Sequence, residues 1–348
     1  MTIIRKSAIK RSKYENTTDG NKRYVEALYQ EYLINALKDD VKFTLTLGTQ
    51  SRLKINDTMK ELANAKTTSS TILSRSETSF IIGTVLGDSS LQYSNKLSLN
   101  PRLSCSHSSR QSEWGFWKAQ ILWQILMGTS DRAATISYQS PKNSYQEKAI
   151  PAYPDERLCR MKIQTPSSPC LKTIHNLMYK DNRKAILRRY LNYTDSIFLM
   201  SLWLDDGSLN GGNLGMFSLV MFSAQELDIF CEWIKIAWNL NMKRTPETKT
   251  NTGETIYPRG VLFTDQDESQ NFLRLVAPLI PVKTMIYKVC WFSQNNPEAT
   301  ERWKTELKSL VRFKWHDVID SYYKTIDISI KNHLRNRTLI LESNFIDN

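Results

Sequence analysis

"SLWLDDGSL", Ser201–Leu209, ends an apolar run abruptly in two adjacent carboxylates and a glycine. "TVLGDSSL", Thr84–Leu91, makes almost the same statement upstream. With the residues before them included, "FIIGTVLGD" ends at Asp88 and "FLMSLWLDD" at Asp206, so the two acids stand 118 positions apart. At that offset Leu86 matches Leu204, Ser90 matches Ser208 and Leu91 matches Leu209. The segments downstream of the two acids repeat as well. In the first copy "RLSCS" (Arg102–Ser106) alternates as a strand and "SEWGFWKAQILWQIL" has helical spacing. Strands are expected near 132–140 and 157–164, then a helix over "PCLKTIHNLMYK". In the second copy "MFSLVMF" reads as the strand and "AQELDIFCEWIKIAWNL" as the helix. Strands near 241–249 and 256–264 and a helix over "SQNFLRLVAPLI" complete it. The fold class is α+β, with two pseudo-symmetric αββαββα units.

The glycines of the first copy suggest how the units meet. Gly83 and Gly87 lie four residues apart, on one helical face, where glycine costs roughly 1 kcal/mol relative to alanine. Close approach of a second backbone offsets that cost, and the position matching Gly83 is Ser201, also small. If the two apolar helices pack together, Asp88 and Asp206 are delivered to one place. Carboxylates crowded at the negative ends of helices repel each other. A hard divalent cation relieves that repulsion, and in a basic protein such a site suits phosphoryl chemistry. The plainer alternative is an ordinary helix stop, with glycine in the left-handed conformation after the acid.

The 348 residues carry 47 Lys and Arg against 35 Asp and Glu, a net +12 spread along the chain, which favours a polyanionic partner. Five cysteines (Cys105, Cys159, Cys170, Cys231, Cys290) show no C-x-x-C pair, so a disulfide framework and structural zinc are not expected. His107 reads as a surface residue. No apolar run approaches the ~20 residues of a membrane span. There is no phosphate loop and no H-E-x-x-H pair, and "GGNLG" from Gly211 reads as a turn before a strand. Trp114, Trp117, Trp123, Trp233 and Trp238 fall on expected helices and read as core. Four segments result: a basic, partly helical extension over 1–77, repeats over 78–185 and 186–290, and a helical basic extension over 291–348.

Both motifs resemble the LAGLIDADG signature of homing endonucleases, in the single-chain form with two motifs. Against that nine-residue pattern, Ile81–Ser89 and Leu199–Gly207 place Asp88 and Asp206 at the eighth position, the metal-binding acid. "LWLDDGS" and "PLIPVKTMIYKV" are similar to the omega-intron, yeast-mitochondrial type, which implies that Lys288 is a catalytic lysine. "DNRKAIL" implies the same for Lys184. Two departures stand out: Ser89 replaces the usual glycine, and Asp205 the small seventh residue.

The resemblance implies Mg2+-dependent hydrolysis of both strands of double-stranded DNA, with Asp88 and Asp206 as metal ligands and the sheets forming a DNA-binding saddle. Arg102, Ser104 and Ser106 oppose Leu103 and Cys105 along one strand, and Arg160, Lys162 and Gln164 oppose Cys159, Met161 and Ile163 along another. These polar faces are the candidates for major-groove contacts, with Lys243, Thr245 and Arg259 in the second unit. A monomer in an organelle, the mitochondrion ahead of the chloroplast, is implied with no membrane partner. The alternative function is an RNA-splicing maturase acting on its host intron RNA. A catalytically dead DNA-binding protein is a third reading, against which the intact Asp88 and Asp206 argue.

Overall fold

The computed structural model describes Ala27 and residues 73–327, apart from 96, 109–110, 127–134, 140–159, 247, 250–254 and 257. The expected N-terminal helix and Cys159 lie outside the described residues. Helix α1 (Arg75–Leu86) starts with a capping box, in which the Ser74 hydroxyl accepts from Glu77 N and the Glu77 carboxylate accepts from Ser74 N. It is followed by β1 (Ser89–Gln92), β2 (Arg102–Ser108), α2 (Ser112–Leu126), β3 (Thr135–Gln139), β4 (Arg160–Gln164) and α3 (Pro169–Met178). A two-strand hairpin, β5 (Tyr179–Lys180) and β6 (Arg183–Lys184), and short α4 (Arg188–Leu191) lead to the second unit. There α5 (Ser196–Asp206) precedes β7 (Gly207–Asn210), β8 (Leu214–Phe217) and α6 (Ala224–Trp238). The unit closes with β9 (Met242–Arg244), β10 (Thr248–Lys249), β11 (Thr255–Ile256), β12 (Val261–Phe263) and α7 (Gln266–Val276).

Among the described residues the two main sheets have the same antiparallel order, β1-β2-β4-β3 and β7-β8-β12-β9. The repeat read from the motifs therefore extends to topology. Two expected elements differ. The strand read over "MFSLVMF" ends at Phe217, because Leu219 and Phe222 are buried while the intervening Val220 and Met221 are exposed, in a turn that leads into α6. The C-terminal stretch is two helical segments, α8 (Pro297–Leu310) and residues 316–327, broken at Val311.

Helices α1 and α5 form the centre. Both are apolar all round, as helices buried on every side must be, and Phe80, Ile81, Ile82, Val85, Phe198 and Leu202 are solvent-free. A Cβ built on Gly83 would fall 2.0 Å from Ser201 Oγ and 2.7 Å from the Phe198 carbonyl oxygen. The small residues are thus required by backbone contact. Polar groups fasten the N-terminal ends: Ser76 Oγ donates to Asp195 Oδ2 at 2.8 Å, and Arg75 Nη2 to the Thr194 carbonyl at 2.8 Å. Trp114, Trp117 and Trp233 are core, as expected, whereas Trp123 is 43% exposed on the outer face of α2.

Substituting Gly83 with Val should lower stability by about 2–3 kcal/mol through overpacking against the Phe198 backbone. Urea denaturation measures it, and an unchanged midpoint would mean the helices do not meet there.

Candidate active site and nucleic-acid interface

The C-terminal ends of α1 and α5 carry Asp88 and Asp206 out of the core. Neither motif ends in a left-handed glycine: φ is −81° at Gly87 and −77° at Gly207. A Cβ on Gly207 would strike the Trp203 ring at 2.2 Å, and one on Gly87 would lie 2.7 Å from Asp205 Cβ. The glycines serve packing, so the ordinary helix stop does not describe these ends.

Asp88 is held up to about 6, by burial and then by the charge of Asp205. Asp206 is raised to about 7 by burial, then by Asp88 and Asp205. The repulsion expected from the sequence is felt at Asp206 from Asp88, and Asp205 adds to it at both acids. Each acid has a lysine nearby. Lys184 Nζ donates to the Gly87 carbonyl at 3.2 Å, and Lys288 Nζ donates to the carbonyls of Gly207 (2.5 Å) and Asp205 (3.4 Å). Gly87 and Asp205 are the same motif position, so the two lysines approach the helix ends in matching ways. Burial lowers the pKa of both lysines, opposed by the surrounding aspartates.

Local structure explains how the lysines arrive. The β5–β6 hairpin turns through Asp181 (φ 51°) and Asn182 (φ 60°), both left-handed as a two-residue hairpin loop of this kind demands, and Lys184 comes two residues later. Lys288 sits on a 3-10 helix, Lys283–Val289. That segment is tied down by its neighbours: Trp203 Nε1 donates to the Lys288 carbonyl at 3.1 Å and Trp303 Nε1 to the Val289 carbonyl at 3.0 Å. The Tyr323 hydroxyl donates to the Trp291 carbonyl at 2.6 Å. The chain after residue 290 therefore buttresses the lysine segment.

Three residues that sequence reading passed over complete the site. Asp205 is fully buried and accepts from Lys118 Nζ at 2.7 and 2.8 Å, from Trp114 Nε1 at 2.8 Å and from Thr84 Oγ1 at 3.0 Å. Burial pushes its pKa up, but the Lys118 ammonium outweighs it and the net shift is downward. His107 is not on the surface. It is 2% exposed, with Nδ1 3.6 Å from Asp88 Oδ2, because β2 turns it inward beside Met161 of β4. Burial and Lys118 lower it to about 3, so it is neutral. A lysine flanked by Phe116, Trp117 and Ala119 in α2, and the alternation of β2, Leu103 and Cys105 with His107, were the available signals.

The donor set fits a hard divalent ion: two carboxylates, hard oxygen donors, whose charges are incompletely balanced. Asp88, His107 and Asp205 also place ligand atoms within 4.8 Å of one another. Both Asp205 oxygens are already taken, so Asp88 and Asp206 are the acids free to bind an ion.

The first sheet presents a polar face in register. Ser104 pairs with Gln164, Ser106 with Lys162 and Ser108 with Arg160, and Gln92 of β1 pairs with Arg102. Ser106 is exposed and Arg102, Lys162 and Gln164 half-buried. Ser104 departs from expectation: it is 7% exposed, a short side chain on a strand flanked by β1 and β4. In the second sheet Lys243 is exposed and pairs with Leu262, which pairs with Met216, so this face is more apolar. Thr245 and Arg259 lie outside the strands. The Thr245 hydroxyl accepts from the Arg259 amide at 2.7 Å, which makes it a loop staple, while Arg259 itself is exposed.

The two units thus share one antiparallel α+β topology and pack through the helices that end in Asp88 and Asp206. A sequence model of the LAGLIDADG DNA endonuclease family matches residues 78–260, more than half the chain, and the chain belongs to that family. By class it is a DNA endonuclease, a hydrolase of phosphodiester bonds. Among solved structures, one described as the homing endonuclease I-WcaI bound to its DNA recognition sequence is 16% identical, with 71% of this chain and all of that chain covered and a TM-score of 0.48. Comparison with curated protein sequences returned no match.

The raised acids predict a pH signature in metal-free protein. Between the ordinary value of 3.8 and their raised values near 6 and 7, the folded state holds more protons than the unfolded chain. Stability should therefore fall as pH rises from 5.5 to 7.5. Neutral His107 opposes this below 6.5, with one proton against two. Divalent ion should raise the melting temperature more at pH 7.5 than at 5.5, and Asp206→Asn should flatten both trends. Calorimetric melts check this.

Proposed function

We propose that this protein is a site-specific homing endonuclease that cuts both strands of a long DNA recognition site with Mg2+, and that it is encoded within an intron. One observation carries the reading: the two motif helices meet and end in Asp88 and Asp206, close enough for Asp88 to raise Asp206, with Lys184 and Lys288 seated on the carbonyls of the helix ends. Asp88 and Asp206 would hold the ions, which when bound ionise water and neutralise phosphate charge. Lys184 and Lys288 place ammonium groups beside the two acids and offer charge or a proton to the phosphate oxygens. Burial lowers both below the ordinary lysine value, which makes each ammonium a readier proton donor.

The polar faces of the sheets would lie in the major groove. Arg102, Lys162 and Gln164, with Arg160 in register beside Ser108, supply the donor and acceptor set that reads guanine and adenine edges. The apolar Met216 and Leu262 beside Lys243 make the second half-site read partly through base methyl groups. Double-stranded DNA is thus the substrate and the protein acts as a monomer, since both motifs are in one chain. Residence in an organelle, the mitochondrion first, belongs to the same proposal. A second reading, splicing of the host intron RNA, draws only on the chain's net charge of +12, since Lys304 and Lys308 of the C-terminal segment are paired with Asp320. A splicing assay on that intron tests it.

Duplexes selected from randomised sequence by binding to the protein provide the cleavage substrate, incubated with Mg2+ or chelator. Asp88→Asn and Asp206→Asn should each reduce double-strand cleavage at least about 100-fold while leaving binding intact. Full cleavage by either variant would refute the assignment.

A further inference from the structure

The two halves can be laid on each other residue by residue at the site. In β1–β2 Ser89 pairs with Cys105, and in β7–β8 Gly207 pairs with Phe217. Helices α2 and α6 then run over the same fifteen positions in each half. On this alignment Asp205 corresponds to Gly87, Lys118 to Phe230, and His107 to Leu219. The positions related to the ion pair and His107 by the repeat are thus glycine, phenylalanine and leucine.

That ion pair crosses from one half to the other. Asp205 comes from α5 and Lys118 from α2, both side chains are 0% exposed, and Nζ meets the two carboxylate oxygens at 2.7 and 2.8 Å. Trp114 and Thr84 complete the shell. Stability does not require such a pair. A buried ion pair can usually be replaced by apolar groups without loss, and the twin position at Phe230, 0% exposed, shows this fold doing so. What distinguishes the pair is its place. It lies beside Asp88: His107 Nδ1 is 3.6 Å from the Asp88 carboxylate, and ligand atoms of Asp88, His107 and Asp205 fall within 4.8 Å of one another, whereas the positions matching Lys118 and His107 in the other half are the apolar Phe230 and Leu219.

We propose that Lys118 and Asp205 are positioning residues chiefly for the Asp88 centre, so that the two strands are cut by unequal centres. The inference rests on the nuclease reading. The pair fixes the floor on which the Asp88 carboxylate and His107 sit; Asp205 also adjoins Asp206 in the chain, but the Lys118 ammonium acts on Asp88.

The test uses the full chain and the double variant Lys118→Met with Asp205→Asn, which removes both charges together and leaves no buried charge unpaired. Each strand of a selected duplex is end-labelled separately, and the strand served by Asp88 is identified as the one left intact by Asp88→Asn. The double variant should cut that strand at least tenfold more slowly and the other within twofold of the parent. Equal slowing of both strands, or of neither, would overturn the inference, since a merely structural role does not choose a strand. Manganese titrated calorimetrically into the protein–duplex complex gives a readout independent of cleavage. One of the two binding steps should weaken in the double variant while the other holds, and equal change in both would also overturn it. If the parent chain cuts neither strand, the nuclease reading fails, and the titration still decides this one.

Discussion

Everything at the centre depends on how closely two helices can approach. The Gly83–Ser201 contact brings backbone against backbone, where a single added methyl group has no room. That contact sets the separation of the helix ends and hence of the carboxylates they carry. It also sets the electrostatics. Because the ends are close and partly shielded from water, burial and neighbouring charge raise both Asp88 and Asp206. Neither effect exists in the isolated motif. The catalytic potential of the site is a property of the interface, and each half contributes a fraction of it.

The sequence displayed the parts of this that are periodic or duplicated. The 118-residue offset, the small residues on one helical face and the alternation in β2 and β4 sufficed to draw the helix pair, the repeated sheets and the two acids. The lysines came only through likeness to a family, since a lysine near a turn has no pattern of its own. Lys118, Asp205 and His107 were hidden for a common reason. Their meaning lies in contacts between elements far apart in the chain, such as the 87 residues between Lys118 and Asp205. From sequence Asp205 is a departure at a small position, and His107 reads as a surface residue near Cys105. The β8 boundary was misread because buried Leu219 and Phe222 continue the apolar composition of the strand without its geometry.

The chain after residue 290 shows how an apparent appendage becomes part of a site. Its aromatic side chains spend their polar atoms on the carbonyls of Val289 and Trp291, next to Lys288. The first lysine needs no such help, because a two-residue turn holds it between paired strands. Equivalent positions are thus secured by unrelated means, one local and one through the tail.

The crossing of Asp205 toward Lys118 has a consequence for how such a chain could have arisen and why it stays joined. Two copies of the second half, docked through their motif helices, would set one Asp205 against another in a dry interface, with Phe230 offering neither a counter-charge. Two copies of the first half would leave Lys118 pointing at Gly87 with no acid to meet it. Neither half is self-complementary. The ion pair acts as a lock and key between dissimilar siblings, and it commits each half to its covalent partner.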